Sequence, residues 1–382
     1  MNFRQATLLV AISVFAITTT SCAQTDSITI LEDKTSYKTQ LLWPDIIIPW
    51  GMTQLPDGRM LATEREGKLW LLSADKTEGK TSIEITGLPE IHANGQGGLL
   101  DIALHPDFAA NNLIYFTYAS KAGNGSGSNT ALMLAKLDTK NHKLTEQKVL
   151  YKGEENSDKG NHYGGRITFS GEHIYFSIGD RGNRDKNPQD ITRDGGKIYR
   201  LNLDGSIPKD NPFYNQKSAK QAIYSYGHRN PQGLITFGDT KQIWSHEHGP
   251  QGGDEVNLIE SGKNYGWPVI SYGINYNGTS FTDITEKAGM EQPKLYWDPS
   301  IAPSGMTYIT SDKYPQWQGK VLLGSMKFTH VVLLDIDKGK VVKQTKLLAD
   351  IGGRVRSIIQ GNDGYIYVGV DGKGILRVET DL

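Results

Sequence analysis

Short runs of alternating apolar and polar residues, broken by glycine-bearing turns, recur from Met52 to the end of the chain. Met52 to Leu72, MTQLPDGRMLATEREGKLWLL, aligns without gaps with Ile358 to Val378, IIQGNDGYIYVGVDGKGILRV. Each reads as strand, Asp-Gly turn, strand, Gly-containing turn, strand. Asp-Gly between alternating runs is a strong hairpin signal, because tight two-residue turns need positive φ. Related units begin at Arg166 (RITFSGEHIYFSIGDRG), Gly233 (GLITFGDTKQIWSHEHGP), Met306 (MTYITSDKYPQWQGKVLLGSM) and Ile102 (IALHPDFAANNLIYFTYA). Six such units predict an all-β fold, a six-bladed β-propeller of four-stranded antiparallel blades whose loops converge on the mouth of a central channel. A β-sandwich or a pair of β domains leaves the match between first and last units unexplained; closure of a ring accounts for it. The polar, weakly periodic stretches Thr192 to Lys220 and Asn275 to Lys294 read as insertions between strands, with little helix.

The length of 382 residues allows one large domain or two ordinary ones, and the repeat pattern favours one. Ahead of the repeats, Arg4 and the apolar run Ala6 to Ile17 read as an export signal too short to span a bilayer. Residues 1–23 are therefore assigned to a signal peptide and 24–382 to a single propeller, in a periplasmic setting. The single cysteine, Cys22, follows that run directly in TTTSCAQ, so a lipid anchor through Cys22 and plain signal cleavage are both open. With one thiol the chain forms no internal disulfide. Its 41 basic and 42 acidic residues, a net charge of -1, give no reason to expect a nucleic-acid partner. Monomer and homodimer both fit the sequence.

Candidate chemistry lies in glycine-rich segments at strand ends. In NHYGGRITFSGEHIYFSIGDRG, His162 precedes a Gly-Gly turn and Asp180 ends the following hairpin, so the two can meet at one rim as a base and the carboxylate that orients it. Gln96, in GQGGLLDIALHPDF, either hydrogen-bonds a ligand or leaves its amide solvated in a tight turn. Arg229 and Asn230, in GHRNPQGL, suit an anion or a carbonyl, or else brace the loop. In SHEHGPQGGDEVNL, His246 and His248 share one strand face like a transition-metal pair, whereas Gly249, Pro250, Asp254 and Glu255 offer the carbonyl and carboxylate oxygens that suit calcium. Lys327 and the pair Arg354 and Arg356 add cations; two arginines on one strand face either repel or share an anion.

Taken in order, GQGGLLDIALHPDF, NHYGGRI with SIGDRG, GHRNPQGL, HEHGPQGGDEVNL and KNYGWP resemble the soluble pyrroloquinoline-quinone (PQQ)-dependent sugar dehydrogenases. This is the glucose/sorbosone dehydrogenase family, and the likeness is to its aldose sugar dehydrogenase branch. It covers nearly the whole chain after the leader. It implies a six-bladed propeller that holds the quinone in its mouth, with His162 as general base, Asp180 as its orienting carboxylate, and Gln96, Arg229 and Asn230 around quinone and sugar. It further implies that Lys327, Arg354 and Arg356 face the cofactor carboxylates and that Gly249 and Pro250 hold calcium through their carbonyls. Asp254, Glu255 and Tyr265 would belong to a second calcium site, with His246 and His248 as support. Asn161 stands where some glucose-active members carry Asp.

The activity so implied is oxidation of aldose sugars at C1 to lactones. Electrons would pass to an external acceptor, since a chain with one cysteine cannot carry the CxxCH haem motif. A calcium-dependent sugar lactonase and a non-enzymatic binding propeller are the rival readings.

Overall fold

The computed structural model describes residues 30–33, 37–75 and 79–379; the expected leader and Cys22 lie outside them. The strands form six antiparallel meanders in chain order. Their innermost strands are Pro49–Gln54, Leu99–Leu104, Ile167–Ser170, Pro231–Phe237, Pro303–Tyr308 and Val355–Gln360. Each inner strand packs on the next and the sixth packs on the first, so the ring is closed. This is the expected six-bladed propeller, and all six sequence units fall on separate blades.

Closure itself uses a strand that the repeats do not reveal. Blade six takes three strands from Val355–Gln360, Ile366–Val370 and Gly374–Val378, and its outermost strand, Thr39–Trp43, comes from the start of the chain. Thr39 pairs with Val378 in antiparallel register. The first and last units therefore match only as three-stranded meanders. Blade one continues into its own fourth strand, Gly79–Ile85, whereas blade six borrows one. A further short strand, Ile30–Glu32, lies parallel to Lys340–Leu347 on the outer edge of blade five.

One expectation is corrected. The stretch Thr192 to Lys220 is not wholly insertion: Lys197–Asn202 is the third strand of blade three, paired on both sides. Its apolar alternation was masked by two buried cations. Lys197 donates to Gly195 O at 2.7 Å, and Arg200 reaches Asp210 at 2.6 Å and donates from Nε to Asn211 Oδ1 at 2.7 Å. Burial of such groups is tolerable only with partners. Asn275 to Lys294 holds no strand or helix, and the described helices are limited to Phe108–Asn111 and the 3₁₀ turn Gly238–Thr240.

The core is divided among the blade interfaces. Leu61, Leu71, Leu99 and Phe116 join blades one and two, Trp244, Val256, Leu323 and Val332 join four and five, and each remaining interface has its own apolar cluster. Strands sandwiched between neighbouring sheets bury both faces, which explains why so many of these runs are apolar at consecutive positions.

A single arginine ties the inner strands together. The buried Arg166, just before the inner strand of blade three, donates to Trp50 O (3.0 Å), Gln232 O (2.8 Å), Ser304 Oγ (3.3 Å) and Arg356 O (2.9 Å), and faces Asp101 at 3.5 Å. Those five partners lie on the five other blades. The five guanidinium N–H groups make this possible, because they fan out in one plane.

The same topology sets the functional rim. In each blade the start of the first strand pairs with the end of the second, as in Pro231 with Glu247 and Val355 with Val370. Residues just before a first strand and just after a second strand consequently meet at one face of the ring.

Candidate active site

His162 and Asp180 occupy those two positions in blade three. His162 Nδ1–H donates to Asp180 Oδ1 at 2.7 Å. The carboxylate also accepts Gly182 N–H (2.7 Å) and the Trp267 indole N–H (2.9 Å). Burial alone would raise the Asp180 pKa, but the His162 hydrogen bond, with help from Arg229 and Trp267, outweighs it and holds the pKa below the ordinary value. Burial, and next the charge of Arg229, push His162 below its usual value, so the ring is neutral at neutral pH. With the proton on Nδ1, Nε2 is left as an acceptor.

The loop holds His162 in an uncommon conformation, with φ of 55°. Gly179 makes this possible: a Cβ there would stand 2.3 Å from His162 O. On the other side, His162 N–H donates to Gln96 Oε1 at 2.8 Å, while Gln96 N–H donates to Gly160 O at 2.7 Å. Gln96 thus holds the histidine loop at two points, through its main chain and its side chain.

Beside them lies a cavity of about 240 Å³, walled in part by Trp50, Arg65, Gln96, Tyr163, Asn230, Arg354 and Arg356. His162 and Arg229 are not among its wall residues; they stand next to it through Gln96, Tyr163 and Asn230. Arg229 is buried, donates from its main chain to Glu247 Oε2 at 2.5 Å and from Nη1 to His248 O at 3.1 Å, and lies 5.3 Å above the Trp267 ring. Its buried Nε has no protein acceptor. Asn230 Oδ1 accepts Gly164 N–H at 3.1 Å and the Gln232 amide at 3.2 Å.

Across the cavity, Arg354 and Arg356 do face an anion, one supplied by the protein. Asp371 accepts Arg356 Nε and Nη2 at 2.7 and 2.6 Å and lies 3.7 Å from Arg354. Lys327 lines an adjoining hollow with Gly249, Pro250 and Asp254, and this hollow shares His248, Ala302 and Arg354 with the first.

Gly249 is held by Asp254, and the Pro250 carbonyl accepts Ser300 Oγ–H at 3.3 Å. The Asp254 carboxylate accepts Gly249 N–H (2.8 Å), Ala302 N–H (2.8 Å) and the same Ser300 Oγ–H (3.0 Å). Asp254 and Glu255 are adjacent in a strand and so point to opposite faces. The structure does not gather them: Glu255 is paired in register with Glu247, which accepts His228 Nδ1–H at 2.8 Å and Arg229 N–H. Burial, with the Glu247 charge, pushes Glu255 upward. The Tyr265 hydroxyl donates to Leu258 O at 2.5 Å, its ring stacks on His228, 4.6 Å between centroids, and its N–H donates to Tyr226 O at 2.8 Å, which leaves its carbonyl to meet an ion. His246 and His248 donate from Nε2 to Gly305 O (3.0 Å) and Pro303 O (2.8 Å), bracing blade five; burial holds both pKa values down to about 3.

Among the described residues no three His, Cys, Asp or Glu side chains gather as a metal group. A cation here would draw on main-chain carbonyls such as those of Gly249 and Pro250, a hard-oxygen donor set. The cavity suits an anionic group, because its wall carries Arg65, Arg354 and Arg356.

Sequence reasoning missed Trp267, Asp371 and Arg166. A signal existed for Asp371, because the gapless alignment of first and last units places it opposite Arg65, another wall residue. Trp267 carried none, since its partner lies in another blade.

Fold and site define an oxidoreductase propeller of the sugar dehydrogenase class. The model of the Glucose / Sorbosone dehydrogenase family matches residues 46–377, and the chain belongs to that family. It is 37% identical over 372 residues to aldose sugar dehydrogenase YliI of Escherichia coli (strain K12), covering 96% of each chain. The solved apo form of the soluble E. coli aldose sugar dehydrogenase superposes with a TM-score of 0.86 at 37% identity, over 90% of this chain and 100% of that one. The PQQ-bound aldose sugar dehydrogenase of Streptomyces coelicolor superposes with 0.71 at 25% identity, over 90% and 99%.

Proposed function

We propose that the protein oxidises aldose sugars at C1 to lactones, using PQQ and calcium and passing electrons to an external acceptor. The observation that carries this reading is the neutral His162, aimed by Asp180 and set beside a cation-walled cavity. When bound, the quinone would take up hydride and calcium would polarise its carbonyl.

The chain's own residues would do the rest. His162 Nε2 takes the proton of the C1 hydroxyl, and Asp180 stabilises the imidazolium that forms. Arg229, whose Nε has no protein partner, steadies negative charge that develops beside it. Arg354, Arg356 and Lys327 would hold cofactor carboxylates, and Gly249 and Pro250 would offer carbonyls to calcium. The second calcium would rest on Glu255 and the main chain of Tyr265, with Glu247 in place of Asp254 as the nearby carboxylate. A lactonase needs carboxylates converging on a metal in the mouth; the arginine-lined wall supports the dehydrogenase instead.

The leader and Cys22 support a periplasmic location, free or lipid-tethered. The test of function is reconstitution. Apoprotein given PQQ and calcium should reduce an artificial acceptor when aldoses are added, and silence across a broad sugar panel with no quinone absorbance retained would overturn the reading.

A further inference from the structure

We infer that Arg181 is a positioning residue for His162, fixing the loop on both sides of the base and setting a permanent charge beside its ring. This rests on His162 being the base, as proposed above.

The Arg181 side chain is fully buried. Nη2 donates to Ser128 O at 3.1 Å and Lys159 O at 3.2 Å, and Nη1 donates to Asn161 O, the residue just before His162. The guanidinium lies over the ring of Tyr163, the residue just after, 3.4 Å from its centroid. Its main-chain N–H donates to the carbonyl of His162 itself at 3.3 Å, and Ser157 Oγ–H donates to Arg181 O at 2.9 Å. One residue thus touches the chain before, at and after the base.

Two physical costs make this arrangement informative. Both His162 and Arg181 have φ of 55°, a left-handed conformation that is costly for a non-glycine residue and persists only where the surroundings over-determine it. Moreover, no carboxylate among the described residues forms a salt bridge with Arg181; its partners are carbonyls and a π face. A buried guanidinium held this way is expensive. Only a planar fork reaches these carbonyls and stacks at once, so lysine cannot replace it. The charged and titratable groups facing His162 are Asp180, Arg229, Arg181 and His248, and the Arg181 charge opposes protonation of the ring.

The test uses the full chain in two states. In the apoprotein, NMR of ¹⁵N-labelled histidine, with His162 assigned by its loss in His162→Ala, reads the ring titration and the Nδ1–H signal. After reconstitution with PQQ and calcium, kcat and sugar KM are measured. In Arg181→Gln the ring pKa should rise, the Nδ1–H signal should fade, and kcat should fall on the order of 10²-fold with KM little changed. Arg181→Lys keeps a charge near the ring, so its titration should stay close to that of the parent while kcat still falls. A folded Arg181→Gln with the parent's titration and kcat, and only a lower Tm, would reduce Arg181 to a brace and overturn the inference. If Arg181→Gln does not fold, Arg181→Lys decides: parental kcat there overturns the clamp. Normal turnover in His162→Ala would instead sink the reading of the base, a separate result.

Discussion

Blade three and blade six solve the same geometric problem with opposite electrostatics. Each sets a nitrogen base near the start of its first strand against an aspartate just after its second: His162 with Asp180 at 2.7 Å, and Arg356 with Asp371 at 2.7 and 2.6 Å. In blade three the pair yields a neutral ring with a free Nε2. In blade six it yields a fixed charge, half-shared with the protein's own carboxylate. Rim position therefore supplies the meeting, and the side chain's pKa decides between proton transfer and anion binding.

The sharpest way to break this comparison is His162→Ala, which should lower turnover by about 10²–10⁴-fold while quinone retention, read by absorbance, persists. Equal loss of retention would place His162 in binding rather than proton transfer. Arg166 links both blades, because it precedes the strand after His162 and donates to Arg356 O. Arg166→Met leaves the largely buried Asp101 without its cation, and denaturant unfolding should report a loss of about 3–5 kcal/mol.

Asp180→Asn should cost on the order of 10² in kcat by releasing the ring orientation. Its pH profile has a definite sign. His162 acts only when neutral, so activity is lost as pH falls through its pKa. Asp180 favours the protonated ring, so its removal should move the acid limb of kcat/KM to lower pH, beyond the already lowered value. A limb that moves upward would contradict the assignment. The smallest effect is expected in blade six: Arg356→Met removes one charged contact, worth about 1.5–3 kcal/mol, and should weaken PQQ binding to the calcium-loaded apoprotein with little change in the acid limb.

Much of this was legible in the sequence, and the reason is local. Hairpin turns are written in adjacent residues, so Asp-Gly turns and alternation gave the six units and placed His162 and Asp180 at one rim. Loop identity likewise marked Gly249 and Pro250. Partners from other blades left no local trace: Trp267 for Asp180, Gln96 for the main chain of His162, Asp101 for Arg166. The expected company of Asp254 and Glu255 failed for an equally plain reason, since neighbours in a strand face opposite ways and Glu255 meets Glu247 through sheet register.

The sequence by itself determined the repeating unit, its number and the kinds of side chain offered to the mouth, because these depend on turn chemistry and period. Tertiary structure alone decided which strand closes the ring, which carboxylate neutralises which cation, and that one arginine spans the axis. Those outcomes depend on chain segments brought together by ring closure, and burial then fixes their charge states.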